Sequence, residues 1–200
     1  MPERAEVLTP EAQAERAKLM DAALKVMKLN GFQGASVQDI LDEAGLSTRA
    51  FYRQFRSKDD LLLAMFRTAS ARDVEAVAKR AANAGKPPER LLAWIDEMLA
   101  IAFDRRRLSR MVMFNQVARQ TAGFDDEVAY MRSALTAPLS EVLSDGLSDG
   151  TFPSADAEQD ALTLFDLLWS VGGPSRQLDR EAARDHLLRF SLPALGAVDD

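Results

Sequence analysis

Apolar residues recur at helical spacing along nearly the whole chain. Leu19, Ala22, Ala23, Val26 and Met27 fall at three- and four-residue intervals and predict one face of an amphipathic helix ending at Asn30-Gly31. Its start is signalled by Thr9-Pro10-Glu11: a capping threonine, proline at the first helical position, and an acid near the positive helix end. Val37, Ile40, Leu41 and Ala44 predict a short helix, and Ala50, Phe51 and Phe55 a second, with Phe32 expected to plug the gap beside the first. Leu62, Met65, Phe66, Ala69 and Val77 predict the inward face of a long helix from 58 to about 82. Over 89–103 the apolar residues lie nearly all round, which predicts a helix through the middle of a second domain. Phe124, Val128, Met131, Leu135, Leu139 and Val142 form a further stripe, with a kink expected at Pro138. Two more helices are predicted over roughly 155–172 and 180–195. No stretch alternates with the period of a strand, so the fold class is all-α.

Residues 36–61 carry the densest punctuation. Ser36 with Asp39, and Ser57 with Asp60, are capping-box patterns, and Gly45 breaks the helix between them where a left-handed turn suits glycine. Ser47 can cap the next helix. Two short helices joined by a tight glycine turn form a helix-turn-helix, whose second helix enters the DNA major groove. From Gly45 to Lys58 the charged residues are Arg49, Arg53, Arg56 and Lys58 with no acid, in a chain of formal net charge −6. Such a local reversal of sign suits a phosphate-facing surface. On charge alone, a solvated helical hairpin is an equal alternative.

The order of residues decides between them. Leu-Ser-Thr-Arg-Ala-Phe-Tyr-Arg-Gln-Phe-Arg-Ser-Lys-Asp-Asp-Leu, residues 46–61, resembles the signature of the TetR/AcrR family of bacterial transcriptional regulators. It departs from that signature at Ala50, where threonine is frequent, and at Gln54, where histidine is usual. The resemblance implies a TetR-type DNA-binding domain over 13–73, with the helix-turn-helix at 36–55, and a helical ligand-binding and dimerisation domain over 74–200. The DNA-binding candidates are Ser36, Val37, Thr48, Arg49, Ala50, Tyr52, Arg53 and Lys58. Thr48 and Arg49 occupy the first turn of the recognition helix, and Arg49 could donate two hydrogen bonds to guanine. Tyr52 and Lys58 stand where TetR-like proteins grip phosphate; Phe51 and Phe55 read as core. Trp94, Met98, Phe103, Met111, Phe114, Met131 and Trp169 are candidates to line an effector pocket, since flexible methionine suits an adaptable apolar cavity; for each taken singly, core is the default reading. Asn115, Gln116 and Asp166 are polar neighbours for such a ligand. Leu162, Phe165, Leu168, Leu187 and Leu188 are candidates for a dimer interface, the last two helices forming a four-helix bundle with their copy in this family.

Other chemistries find no support. The absence of cysteine excludes disulfides, thiolate zinc sites and cysteine nucleophiles. The single histidine, His186, has no catalytic partner motif, and no phosphate-binding loop, GxGxxG or HExxH occurs. Asp125-Asp126-Glu127 reads as acids at a helix start rather than a metal cluster, so neither cofactor nor enzymatic activity is expected. Met-Pro-Glu-Arg-Ala-Glu has no apolar signal core, and no apolar run is long enough to span a bilayer, which predicts a cytoplasmic protein without membrane association. The expectation is a homodimeric, ligand-responsive regulator, most often a repressor, acting on a palindromic double-stranded operator in response to a largely apolar small molecule. The alternative is a helical protein-binding module that does not bind DNA.

Overall fold

The computed structural model describes residues 9–107, 123–173 and 177–197. Eight helices follow one another: α1 (Pro10–Gly34), α2 (Val37–Ala44), α3 (Thr48–Gln54), α4 (Lys58–Ala82), α5 (Pro87–Phe103), α6 (Phe124–Asp149), α7 (Ala157–Gly172) and α8 (Arg180–Ala194). A further helical turn spans 105–107, and no strand occurs among the described residues. Contacts divide the described residues into a first unit reaching Arg67 and a second starting at Thr68, so the division falls inside α4.

In the first unit, α1, α2 and α3 pack pairwise against one another. The α1 stripe of Leu19, Ala22, Ala23, Val26 and Met27 is buried, together with Ile40, Leu41, Phe51, Phe55, Leu61 and Leu62. Thr9 caps α1 by accepting the Ala12 N–H on Oγ1 at 3.3 Å. The helical run breaks at Gly31, whose φ of 68° and ψ of 171° are non-helical. The Phe32 side chain lies outside the described residues.

In the second unit α5 is the hub, packing against α6, α7 and α8. Leu91, Trp94, Ile95, Met98 and Leu99 are buried there with Leu139, Val142, Leu143, Phe152, Leu164 and Leu168. Trp94 also donates its indole N–H to the Leu135 carbonyl at 2.9 Å, so its one polar atom is satisfied inside the core. Asp96 of α5 anchors α8 twice: its carboxylate accepts from Arg184 Nε at 2.6 Å, and its carbonyl accepts from Arg180 at 3.0 Å. α6 continues through Pro138. Where α6 turns toward Phe152, only glycine fits, because a Cβ at Gly146 would lie 2.2 Å from the Phe152 ring.

Three expected interface residues have a different place. Phe165, Leu168 and Leu187 are buried within the single chain, in the core that α7 and α8 share with α5. A helical stripe facing its own core and one facing a second copy have the same spacing. Leu162 and Leu188 are half-buried, and Phe190 on α8 is 61% exposed.

Candidate nucleic-acid interface

The helix-turn-helix is built by its caps. Ser36 Oγ accepts the Asp39 N–H at 3.0 Å, while Asp39 Oδ2 accepts the Ser36 N–H at 2.9 Å and its hydroxyl at 2.6 Å. These bonds hold the Asp39 carboxyl below its ordinary range, so the acid is ionised at the positive end of α2. Gly45 ends α2 in the left-handed region, at φ 63° and ψ 37°, and donates its N–H to the Leu41 carbonyl. Two residues later Ser47 Oγ accepts the Ala50 N–H at 3.3 Å and starts α3. Only Leu46 separates the turn glycine from the cap of the next helix.

Once α3 is capped at Ser47, its 3.6-residue period sorts its side chains. Ala50, Phe51 and Gln54 are buried, with Phe55 just beyond them. Thr48, Arg49, Tyr52 and Arg53 are exposed, and Tyr52 keeps 59% of its surface in solvent. The Tyr52 ring stands edge-on to Phe51 at 5.4 Å, so an aromatic contact fixes the base of a side chain whose hydroxyl end is outside. Thr48 and Arg49 therefore present two adjacent polar side chains on the first turn of α3.

Not every expected DNA-binding residue lies on this surface. Ala50 is turned into the core with 5% of its surface accessible, because it lies one residue before Phe51 on the face that packs against α1 and α2. Gln54 is also buried. Lys58 is half-buried and donates from Nζ to the Ala35 carbonyl at 2.9 Å, tying the start of α4 to the residue preceding the α2 cap. Arg53 is exposed but pairs with Glu15 of α1. Val37 is half-buried and Ser36 is engaged in its capping box.

Two residues that the sequence did not single out complete this region. Glu15 holds Arg53, and that hydrogen bond lowers the Glu15 carboxyl below its ordinary range. Arg16 donates from Nη1 to the Gln54 carbonyl at 2.9 Å and lies 4.3 Å over the centre of the Phe55 ring. Their only signal in the sequence is a pair of charges flanking the apolar stripe of α1, and nothing there indicates partners 38 residues away.

The effector-pocket candidates divide differently. Trp94 and Met98 are fully buried, and Phe103, Met131 and Trp169 are partly buried against the same core. Met111 and Phe114, with the polar neighbours Asn115 and Gln116, lie outside the described residues. Asp166 is exposed and pairs with Arg132 at 2.6 Å. A shallow depression of about 620 Å³ is lined by Ala100, Phe103, Asp104, Arg105, Arg106 and Arg180. Beside it, Arg107 reaches Asp73 of α4 at 3.1 Å. No described helix is long and apolar enough to cross a membrane.

The described residues form a helix-turn-helix unit followed by a second unit of helices. Residues 19–65 match the family model described as bacterial regulatory proteins, tetR family. Solved structures agree along almost the full length of the chain. A protein of Pseudomonas aeruginosa PAO1 assigned as a transcriptional regulator is 24% identical and has a TM-score of 0.77, the alignment covering 96% of this chain and 95% of that one. A TetR transcription regulator from Haloarcula marismortui is 23% identical with a TM-score of 0.75, covering 89% of this chain and 96% of that one. FadR from Bacillus subtilis, solved with stearoyl-CoA, is 18% identical with a TM-score of 0.65, covering 89% and 98%. Comparison with curated proteins yields no match. Residues 19–65 thus form a TetR-type amino-terminal domain, and the chain shares the fold of these solved regulators.

Proposed function

We propose that the protein acts as a homodimer that binds a palindromic operator through α3 and releases it on binding a small, largely apolar effector, as a repressor would. The observation that carries the DNA-binding part is the exposure of Thr48 and Arg49 on the first turn of a helix anchored by Phe51 and Phe55. The first turn of a recognition helix is where base edges are met, and a bidentate arginine–guanine contact discriminates by about 1–3 kcal/mol. Tyr52 and Lys58 supply phosphate contacts. Ser36 and Val37, at the amino-terminal end of α2, are further candidates to approach the DNA backbone.

A two-fold dimer presents two copies of α3 to a two-fold operator. The half-buried Leu162 and Leu188 and the exposed Phe190 leave apolar surface on α7 and α8 for a second copy. Effector response is supported by the fold shared with the stearoyl-CoA complex of FadR and by the methionines and aromatics of the second unit. α4 offers the route between effector and DNA, since one continuous helix carries residues of both units. The Arg107–Asp73 pair ties that helix to the turn after α5. An effector weakens DNA binding only by preferring the DNA-incompetent arrangement; tenfold weakening requires about 1.4 kcal/mol of coupling, and DNA must weaken effector binding equally.

The test is a salt series with DNA from the gene's own upstream region. Affinity should fall log-linearly with salt, with a slope near −0.9 per neutralised phosphate. A protein-binding module would show no such slope and no preference among DNA sequences.

A further inference from the structure

Of the three arginines on or just after α3, Arg53 alone has a carboxylate partner among the described residues. Arg53 lies four residues beyond Arg49, hence on the same side of the helix, and its sequence position suggests a second DNA contact. The geometry argues otherwise. Glu15 of α1 neutralises the guanidinium, so a phosphate approaching Arg53 would also approach a negative charge. To reach that phosphate, Arg53 would have to leave one anion for another, with little net gain. The next residue of α1 holds the same end of the helix by a different bond. Arg16 donates to the Gln54 carbonyl, one of the last carbonyls of α3 that has no partner within the helix, and covers Phe55. Two consecutive side chains of α1 therefore fix the last turn of α3, one outside and one against the core.

We propose that Arg53 is a positioning residue held by Glu15, that it contributes no phosphate contact, and that Glu15 thereby withholds one positive charge of the recognition helix from DNA. This rests on the DNA-binding reading given above. The Arg53 hydrogen bond keeps the Glu15 carboxyl below its ordinary range, so both partners are charged at neutral pH. Arg49 and Arg56 have no carboxylate partner among the described residues and remain available to DNA.

The experiment measures DNA affinity against salt for the full chain and three variants, Arg53→Gln, Arg53→Lys and Glu15→Gln, on one upstream DNA fragment. In Arg53→Gln the slope should equal that of the wild type although affinity falls, and Arg53→Lys, which can still pair with Glu15, should recover the affinity. In Glu15→Gln the freed arginine meets a phosphate, and the slope should steepen by about 0.9. A slope flattened by about 0.9 in Arg53→Gln would make Arg53 a phosphate contact and overturn the proposal. An unchanged slope in Glu15→Gln would overturn it too, because no charge would then have been withheld. If the wild type shows no salt-dependent binding, the functional reading itself is lost; if the wild type binds and only the variants disagree, this inference alone fails.

Discussion

α3 buries Ala50, Phe51 and the polar Gln54, whereas α7 buries an entirely apolar face, and the two helices differ in what their side chains can reach. α3 has seven residues, buries three, and keeps Thr48, Arg49 and Tyr52 in solvent. α7 has sixteen and buries Ala161, Leu164, Phe165, Leu168 and Gly172 in the core it shares with α5 and α6. Under the proposed function, removing Arg49 from the solvent face of α3 should cost DNA binding and little stability. A charge placed on the buried face of α7 strikes the core before it can affect any assembly.

The largest effect should therefore come from Leu168→Asp. It buries an unpaired carboxylate among α5, α6 and α7 and should leave the protein insoluble or unfolded, whereas Phe190→Asp on the exposed face of α8 should fold normally. Circular dichroism of the soluble fractions separates the two; a folded, monomeric Leu168→Asp protein would return Leu168 to the dimer interface. Gly146→Ala comes next. Its new methyl would collide with Phe152, and overpacking of this kind costs about 1–3 kcal/mol, readable as a lowered thermal midpoint with DNA affinity per folded molecule unchanged. Arg49→Ala should do the reverse: an unchanged thermal midpoint, and about 1–3 kcal/mol lost at particular base pairs.

The smallest effect is expected at the α2 cap. Ser36→Ala should cost about 1 kcal/mol of stability. Because the Asp39 carboxyl is depressed from its ordinary value of 3.8 by its bonds to Ser36, their contribution is complete above that value and disappears as pH falls through the lower folded value. The difference between Ser36→Ala and wild type should therefore narrow in acid, as denaturation followed from neutral pH downward would show. A difference constant with pH would mean that the cap does not depend on the charge of Asp39.

The same contrast explains what could be read from the residues. Caps, turns and helix ends depend on neighbours within four positions, and Thr9, Ser36, Gly45, Ser47 and Ser57 stand where those local rules place them. The exposure of Thr48, Arg49 and Tyr52 was legible because the cap at Ser47 and the 3.6-residue period sort the side chains of α3. The burial of Ala50 was not legible because the signature specifies residue order, while burial depends on how α3 packs against α1 and α2. Glu15, Arg16 and the Lys58–Ala35 bond depend on contacts 23 to 38 residues apart, which periodicity does not encode. The burial of Phe165, Leu168 and Leu187 within one chain reflects the ambiguity of an apolar stripe, which shows that a face is covered and not by what.

Selection of binding sites from a randomised duplex library, wild type against Arg49→Ala, tests the central claim most directly. The account predicts that the wild type enriches an inverted repeat whose half-sites lie roughly 34–36 Å apart or a multiple of it, and that Arg49→Ala relaxes the preference at one symmetric position in each half-site. Enrichment of no motif by the wild type, or of an identical motif by both proteins, would contradict the assignment of α3 as the helix that reads DNA through Arg49.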